Sequence, residues 1–249
     1  MILRKLMQAS RELSWFTAIL EVLIVVIGIF VGLQVDGWNQ DRKDRAAAAS
    51  YMDRLYGDTR SNIAQVKAKA QSYHHRAIAL ARIVEQLQLG KVDEIDIKDL
   101  TEAFCYWYVP EGIRLQSSTY EEMTATGSLK LIREQGILQK LQLARAEDDR
   151  LKDENPKLAA LQMDLAKSLR NYTEWRFDAP LQRIDGEGPS KIPVQAGCVV
   201  DRAALAADPD IPSILVQLNR SQTILGNLLL DEQQALEDLL AALEQAPRT

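Results

Sequence analysis

Near its start the chain has a stretch in which apolar residues do not alternate with polar ones. From Trp15 to Val35 it reads WFTAILEVLIVVIGIFVGLQV, with Glu21 and Gln34 as the only strongly polar members. As a helix rising about 1.5 Å per residue, this run reaches roughly 31 Å, the thickness of a bilayer's hydrocarbon core. Trp15 and Trp38 bracket it, where interfacial aromatic residues belong. The run is longer than the apolar core of a signal peptide, and no small-residue cleavage site follows before the charged DRKDR of residues 41–45. The pattern predicts a short tail over residues 1–14, an uncleaved transmembrane helix over 15–35 and an extramembrane domain over 36–249.

Beyond the span the period changes. Asp36-Gly37 reads as a helix break, after which Met52, Tyr56, Thr59, Ile63, Val66, Ala70, Tyr73, Ala77, Leu80, Val84 and Leu87 step by threes and fours. That spacing is a heptad seam closed by Gly90. It suits either a coiled-coil stalk or a helix of an antiparallel bundle, and the small Ala70 and Ala77 with the polar Thr59 favour the bundle. Lys98–Val109 predicts a short aromatic helix ended by Pro110, and Ser117–Thr126 another stopped by Gly127. Ile137, Leu141, Ala144, Leu151, Leu158, Leu161, Leu165, Leu169 and Tyr172 define one face of a long helix that Pro156 should kink or divide. From Phe177 to Pro212, prolines and glycines predict an irregular excursion with room for a short strand pair around Ile192–Val200. Ile214, Leu218, Leu225, Leu229, Leu236, Leu239 and Leu243 predict a last helix, fraying at its APRT end. The fold class expected is all-α: a transmembrane helix followed by a helical bundle.

Composition narrows the function classes. The chain has 249 residues, 47% hydrophobic and 26% charged, with a net charge of −5, which fits an ordinary globular domain. No basic cluster with interleaved aromatics lies outside the membrane flanks, so nucleic acid is not an expected partner. Cys105 and Cys198 form no CxxC motif and are candidates for a single disulfide. Arg4, Lys5 and Arg11 precede the span and Arg42, Lys43 and Arg45 follow it, so the positive-inside rule is tied. The lone cysteine pair and the length of the C-terminal domain place that domain outside, in an oxidising compartment.

Reactive constellations are scarce. His74 and His75 are adjacent on a helix, so their side chains diverge by about 100° and suit a solvated face rather than a metal. Glu147, Asp148, Asp149, Asp153 and Glu154 interleave with Arg150 and Lys152, which reads as an exposed, salt-bridged helix surface. Asp185–Lys191 lacks phosphate-loop spacing and reads as a turn. Phe104, Tyr106, Trp107 and Tyr108 read as core packing rather than a ligand pocket. No nucleophile motif, metallohydrolase motif or triad grouping is present, so neither catalysis nor a cofactor is expected.

The span itself carries the most informative pattern. At 100° per residue, Ser14, Thr17, Glu21, Gly28, Gly32 and Asn39 fall within about 40° of one line. Glycines four apart allow close helix approach, and an acid in lipid seeks protein or water. Two function classes follow. One is a non-enzymatic interaction, scaffold or sensor protein that assembles with itself or another membrane protein through Glu21, Gly28, Gly32 and Asn39. The other is an accessory subunit of a transport or ion-coupled complex, with Glu21 handling protons or pairing with a partner.

The run from Glu21 through VVIG and Leu33-Gln34 to Trp38-Asn39 resembles the opening of a bacterial family of single-pass membrane proteins of unknown function, in which an acid begins a VVIG-type span ending in LQ and then WN. Thr119-Tyr120 through Gly127-Ser-Leu-Lys-Leu-Ile132 is similar to that family's tyrosine-to-glycine segment with its L-x-L-I run. Asp36-Gly37 and Gln40 depart from the asparagines and glutamate of that pattern. The resemblance implies an inner-membrane anchor and a helical domain, here expected on the periplasmic side, and brings no activity or cofactor with it.

Overall fold

In the computed structural model, residues 2–105, 113–176 and 197–246 are described, excepting the side chains of 2–14, 16–18, 175–176 and 197. A single helix, α1, runs without interruption from Ile2–Gln88, about 130 Å at the standard rise. The break expected at Asp36-Gly37 does not occur. One glycine costs a helix about 1 kcal/mol, too little to interrupt a cooperative ladder already formed on both sides. Local pairs support the crossing, among them Gln40 Nε2 donating to Asp44 at 2.8 Å and Arg45 Nε donating to the Asp41 carbonyl at 3.2 Å. The helix ends where Gly90 adopts φ 70°, with the Gly90 and Lys91 amides donating to the Leu87 and Gln86 carbonyls.

Helix α1 holds one segment long and apolar enough to cross a membrane, none of it buried by the rest of the chain. Packing begins at Tyr51 and Met52. Between the apolar run and that point, α1 is a largely exposed single helix, a neck of about 24 Å.

Helices α2 (Ile97–Cys105), α3 (Ser118–Ala125), α4 (Gln135–Leu169), α5 (Arg202–Ala207) and α6 (Ile211–Gln245) complete the helical part. The core has two parts. Near the neck, Leu55, Val66 and Ala70 of α1 meet Met123 of α3, Ile137, Leu141, Ala144 and Leu151 of α4, and Leu225 to Leu243 of α6. At the far end, Leu80, Ile83 and Val84 meet α2, Leu169, Leu205 and Ile211 to Leu218. Thus α4 runs with α1 away from the neck, and α6 runs back against both. The predicted seam is the α1 face in this bundle, widened by buried Leu55, Asn62, Ala79 and Ile83. The architecture is all-α.

Three expectations need correction. Pro156 does not divide α4, which continues as one helix through it. Pro156 is exposed, so water can reach the carbonyl it leaves unpaired, while Leu151 and Gln162 on either side are buried. The strand pair lies further apart in sequence than expected: β1 (Thr173–Arg176) pairs antiparallel with β2 (Gly197–Val200), Trp175 opposite Cys198. The excursion also holds α5, capped by the Asp201 carboxylate accepting from the Ala204 amide at 3.0 Å. Residues 106–112, 177–196 and 247–249 fall outside the described residues, and with them Tyr106, Trp107, Tyr108, Pro110, the Asp185–Lys191 turn and the chain end. Phe104 is buried in the far core.

Cys105, at the end of α2, is bonded to Cys198 of β2, with Cα atoms 6.0 Å apart at a sequence separation of 93. The bond pins the two-stranded sheet to the far end of the bundle. Closing so long a loop restricts the unfolded chain by roughly 2–5 kcal/mol. Replacing both cysteines with serine should therefore lower the thermal midpoint of the detergent-solubilised protein, and a reductant should lower the wild-type midpoint by a similar amount. Equal midpoints with and without reductant would show that the bond adds nothing to the fold.

Candidate functional site

Two places in the molecule carry chemistry that packing alone does not require. The first is the outer face of α1. Glu21, Gly28 and Gly32 are exposed and Asn39 is half-buried, its side chain accepting from Arg42 at 3.5 Å. A Cβ added at Gly28 or Gly32 would meet nothing within 4 Å. The described side chains of the set therefore share one open face, while those of Ser14 and Thr17 lie outside the described residues.

Because α1 does not break, that face continues beyond the span. At 100° per residue, Gly28, Gly32, Asn39, Ala46, Ser50, Gly57, Ala64 and Ala68 all fall within about 20° of a single line. The pattern repeats every 18 residues: Gly-Gly-Asn, then Ala-Ser-Gly, then Ala-Ala-His at positions 64, 68 and 75. Each position from Ala46 to His75 in this series is exposed, and a Cβ on Gly57 would also meet nothing within 4 Å. The bundle covers the opposite side of α1. The sequence held this signal, but the assumed break at Asp36-Gly37 ended the register at Asn39.

The second place is a polar pocket inside the core near the neck. Two seams that look apolar each contain an acid. On α6 the steps Leu225, Leu229, Glu232, Leu236, Leu239 put Glu232 in the buried row, and on α4 the steps Ile137, Leu141, Ala144, Asp148, Leu151 do the same for Asp148. Glu232 is 1% exposed and Asp148 4%. The acidic run of α4 is thus salt-bridged as expected, but Asp148 is not part of an exposed surface: it faces inward, because it occupies the core position between Ala144 and Leu151.

Both acids line a cavity of about 40 Å³ together with Asp58, Thr59, Asn62 and Arg145. Most groups around it are satisfied. Asp148 Oδ2 accepts from Arg145 and Lys152, each at 2.8 Å. The Arg145 guanidinium lies 4.9 Å from the centre of the Tyr120 ring, within cation–π range. Asn62 accepts from the Gln116 amide at 2.8 Å and donates to its carbonyl at 3.0 Å. Thr119 donates to Asp58 at 2.6 Å. These contacts dock α3 and the irregular segment leading into it onto α1.

Glu232 is the exception. Neither carboxyl oxygen has a hydrogen-bond partner, and Arg145 Nε is likewise buried without one. Burial first, and then the Asp148 and Glu147 carboxylates, push Glu232 up to about 8 from its ordinary 4.5, with Arg145 and Lys152 pulling the other way. A carboxyl in this state is neutral at pH 7, which lowers its desolvation cost. Among the described residues no group of three or more His, Cys, Asp or Glu is placed to hold a metal ion. His74 and His75 are both exposed.

The sign of the pH dependence follows. Below about 4.5 Glu232 is protonated in both folded and unfolded chains. Between about 4.5 and 8 the unfolded chain releases a proton that the fold retains, so stability falls as pH rises through that window and levels off above it. Glu232→Gln should flatten this decline and make the protein more stable than wild type at pH 9, on the order of a few kcal/mol. Denaturant unfolding at pH 5, 7 and 9 measures it, and parallel curves for the two proteins would show that Glu232 does not titrate in this range. No family model, curated protein or solved structure matches the chain.

Proposed function

We propose that this protein is a membrane-anchored, non-enzymatic interaction protein of the inner membrane that assembles in the bilayer through the Glu21, Gly28, Gly32 and Asn39 face of α1 and presents a helical scaffold or sensor domain on the periplasmic side. The observation that carries the reading is the unbroken α1 with small residues in one register from Gly28 to Ala68. A helix facing only lipid and water gains nothing from keeping one side bare. A second helix packed along that side gains close backbone approach, the recurrent route to association in membranes. A period of 3.6 residues needs no supercoil to stay in contact, so the contact can run from the bilayer along the neck. The resemblance of the span to acid-led VVIG spans and the disulfide at the far end support the anchor and the oxidising compartment.

A second copy of the same chain is the simplest partner, because each α1 offers the complementary surface to itself. Glu21 then faces the partner helix, where a hydrogen bond is worth on the order of 0.6–2 kcal/mol. The Gly28→Leu/Gly32→Leu double variant should reduce self-association in an in-membrane reporter assay by several fold, and Gly57→Leu should reduce it further in the full chain. Association by the double variant as strong as wild type would remove the α1 face as the interface. Glu21→Gln keeps a hydrogen-bonding side chain and should leave association largely intact. Loss of all cellular function in that variant, with association preserved, would instead favour the proton-handling subunit.

A further inference from the structure

The pocket around Glu232 lies where all the packed elements near the neck meet, and its groups have two ways to pair. We infer that Glu232 is a proton-controlled latch: while protonated it leaves Arg145 on Asp148 and Tyr120, and on losing its proton it draws Arg145 away and loosens α3 and α4 from α1 and α6. The inference concerns regulation of the domain and does not depend on assembly through α1.

The geometry supplies both states. Arg145 is the one cation among the side chains lining the cavity, and it binds Asp148 through Nη1 while its Nε remains buried and unpaired. Glu232 brings two unpaired oxygens into the same cavity. A neutral carboxyl competes weakly for a guanidinium, whereas an ionised one in a low-dielectric site competes strongly. Lys152 also reaches Asp148, at 2.8 Å, so Asp148 keeps a cation when Arg145 leaves. Arg145 is therefore free to move without stranding a buried charge.

Every packed element contributes to the balance. From α4, Asp148 and Glu147 hold the proton on Glu232 while Arg145 and Lys152 favour its release. From α1, Asp58 lines the cavity and is engaged by Thr119. From α3, Tyr120 stacks on Arg145. From α6 itself the neighbouring lining groups are the apolar Leu236 and Leu239. The released proton has a route to water, since the exposed Gln116 forms part of the cavity rim. Withdrawing Arg145 removes its stacking on Tyr120, one of the contacts that fix α3. Helix α3 has eight residues, of which only Thr119 and Met123 are buried, so it is the element most readily released.

Both native cysteines are in the disulfide, so cysteines introduced at the exposed Ala125 of α3 and Ala241 of α6 can carry a spin-label pair in the full chain in detergent. The α3–α6 distance distribution should change between pH 6 and pH 10 with its midpoint near pH 8, and Glu232→Gln should hold the low-pH distribution throughout. Asp148→Asn removes a like charge and frees both cations, so its midpoint should shift to lower pH. A wild-type distribution constant over this range overturns the latch, as does a change that survives in Glu232→Gln or a midpoint that Asp148→Asn leaves in place or raises. None of these readings depends on whether Gly28 and Gly32 mediate association.

Discussion

An α-helix of 87 residues presents a different environment to the chain every few turns while keeping one rigid register throughout, and that register constrains everything else in this protein. Along the apolar run, large apolar side chains are exposed around the helix, the surface that a lipid surrounding would suit. Past the neck, the side bearing Leu55, Val66, Ala70, Ala77, Leu80 and Val84 is the apolar one, because α6, with α2 and α3, covers that side. A break at Asp36-Gly37 would have uncoupled the two parts. Without it, the rotation of the apolar segment about its own axis fixes which way the bundle faces, and the side left bare on that segment is the side left bare on the domain.

The core near the neck is an unusual place to hold acids. Leu at 232 would bury more apolar area and avoid an unpaired carboxyl, yet the position holds Glu, opposite an Asp that sits in the matching row of α4. Burying Asp148 is tolerable because two cations reach it. Burying Glu232 is tolerable only because the carboxyl can keep its proton. The far core also holds an acid, Asp99 of α2, but it is paired with Arg82 at 3.4 Å, and no carboxyl oxygen there is buried without a partner among the described residues. The apolar side chains around it are closed by the disulfide. The two halves of the bundle therefore differ in kind: one is closed by a covalent bond, and the other encloses a buried carboxyl without a hydrogen-bond partner.

Much of this was legible in the sequence because it rests on period and length. The span follows from an uninterrupted apolar run, the α1 seam from threes and fours, and the end of α3 from Gly127, whose φ of 67° is the conformation a glycine there supplies. What was not legible had a common cause, namely local signals overridden by longer ones. The glycine after Asp36 and the proline at 156 are breakers judged residue by residue, and both are carried by packing or cooperativity extending several turns to either side. Thr173–Arg176 carries β-prone residues but directly follows a long helix, and its partner strand lies beyond the proline-rich excursion, so pairing could not be read from neighbours. Asp201 before Arg-Ala-Ala-Leu was a readable N-cap signal hidden among prolines.

The buried acids show the limit from the other side. Asp148 belongs to a run of charges, and composition assigned the whole run to the surface. Phase assigns it differently: counting from Ile137 by fours and threes lands on Asp148, and counting from Leu225 lands on Glu232. A charge whose helical phase coincides with an apolar seam should be read as buried first and explained second, whatever its neighbours in sequence are. The same counting applied to the outer face of α1 joins Gly28 and Gly32 to Gly57, Ala64 and Ala68, residues that no local window relates. In a protein built around one long helix, phase carried over many turns says more about function than any motif within a few residues, because the helix itself keeps distant residues in register.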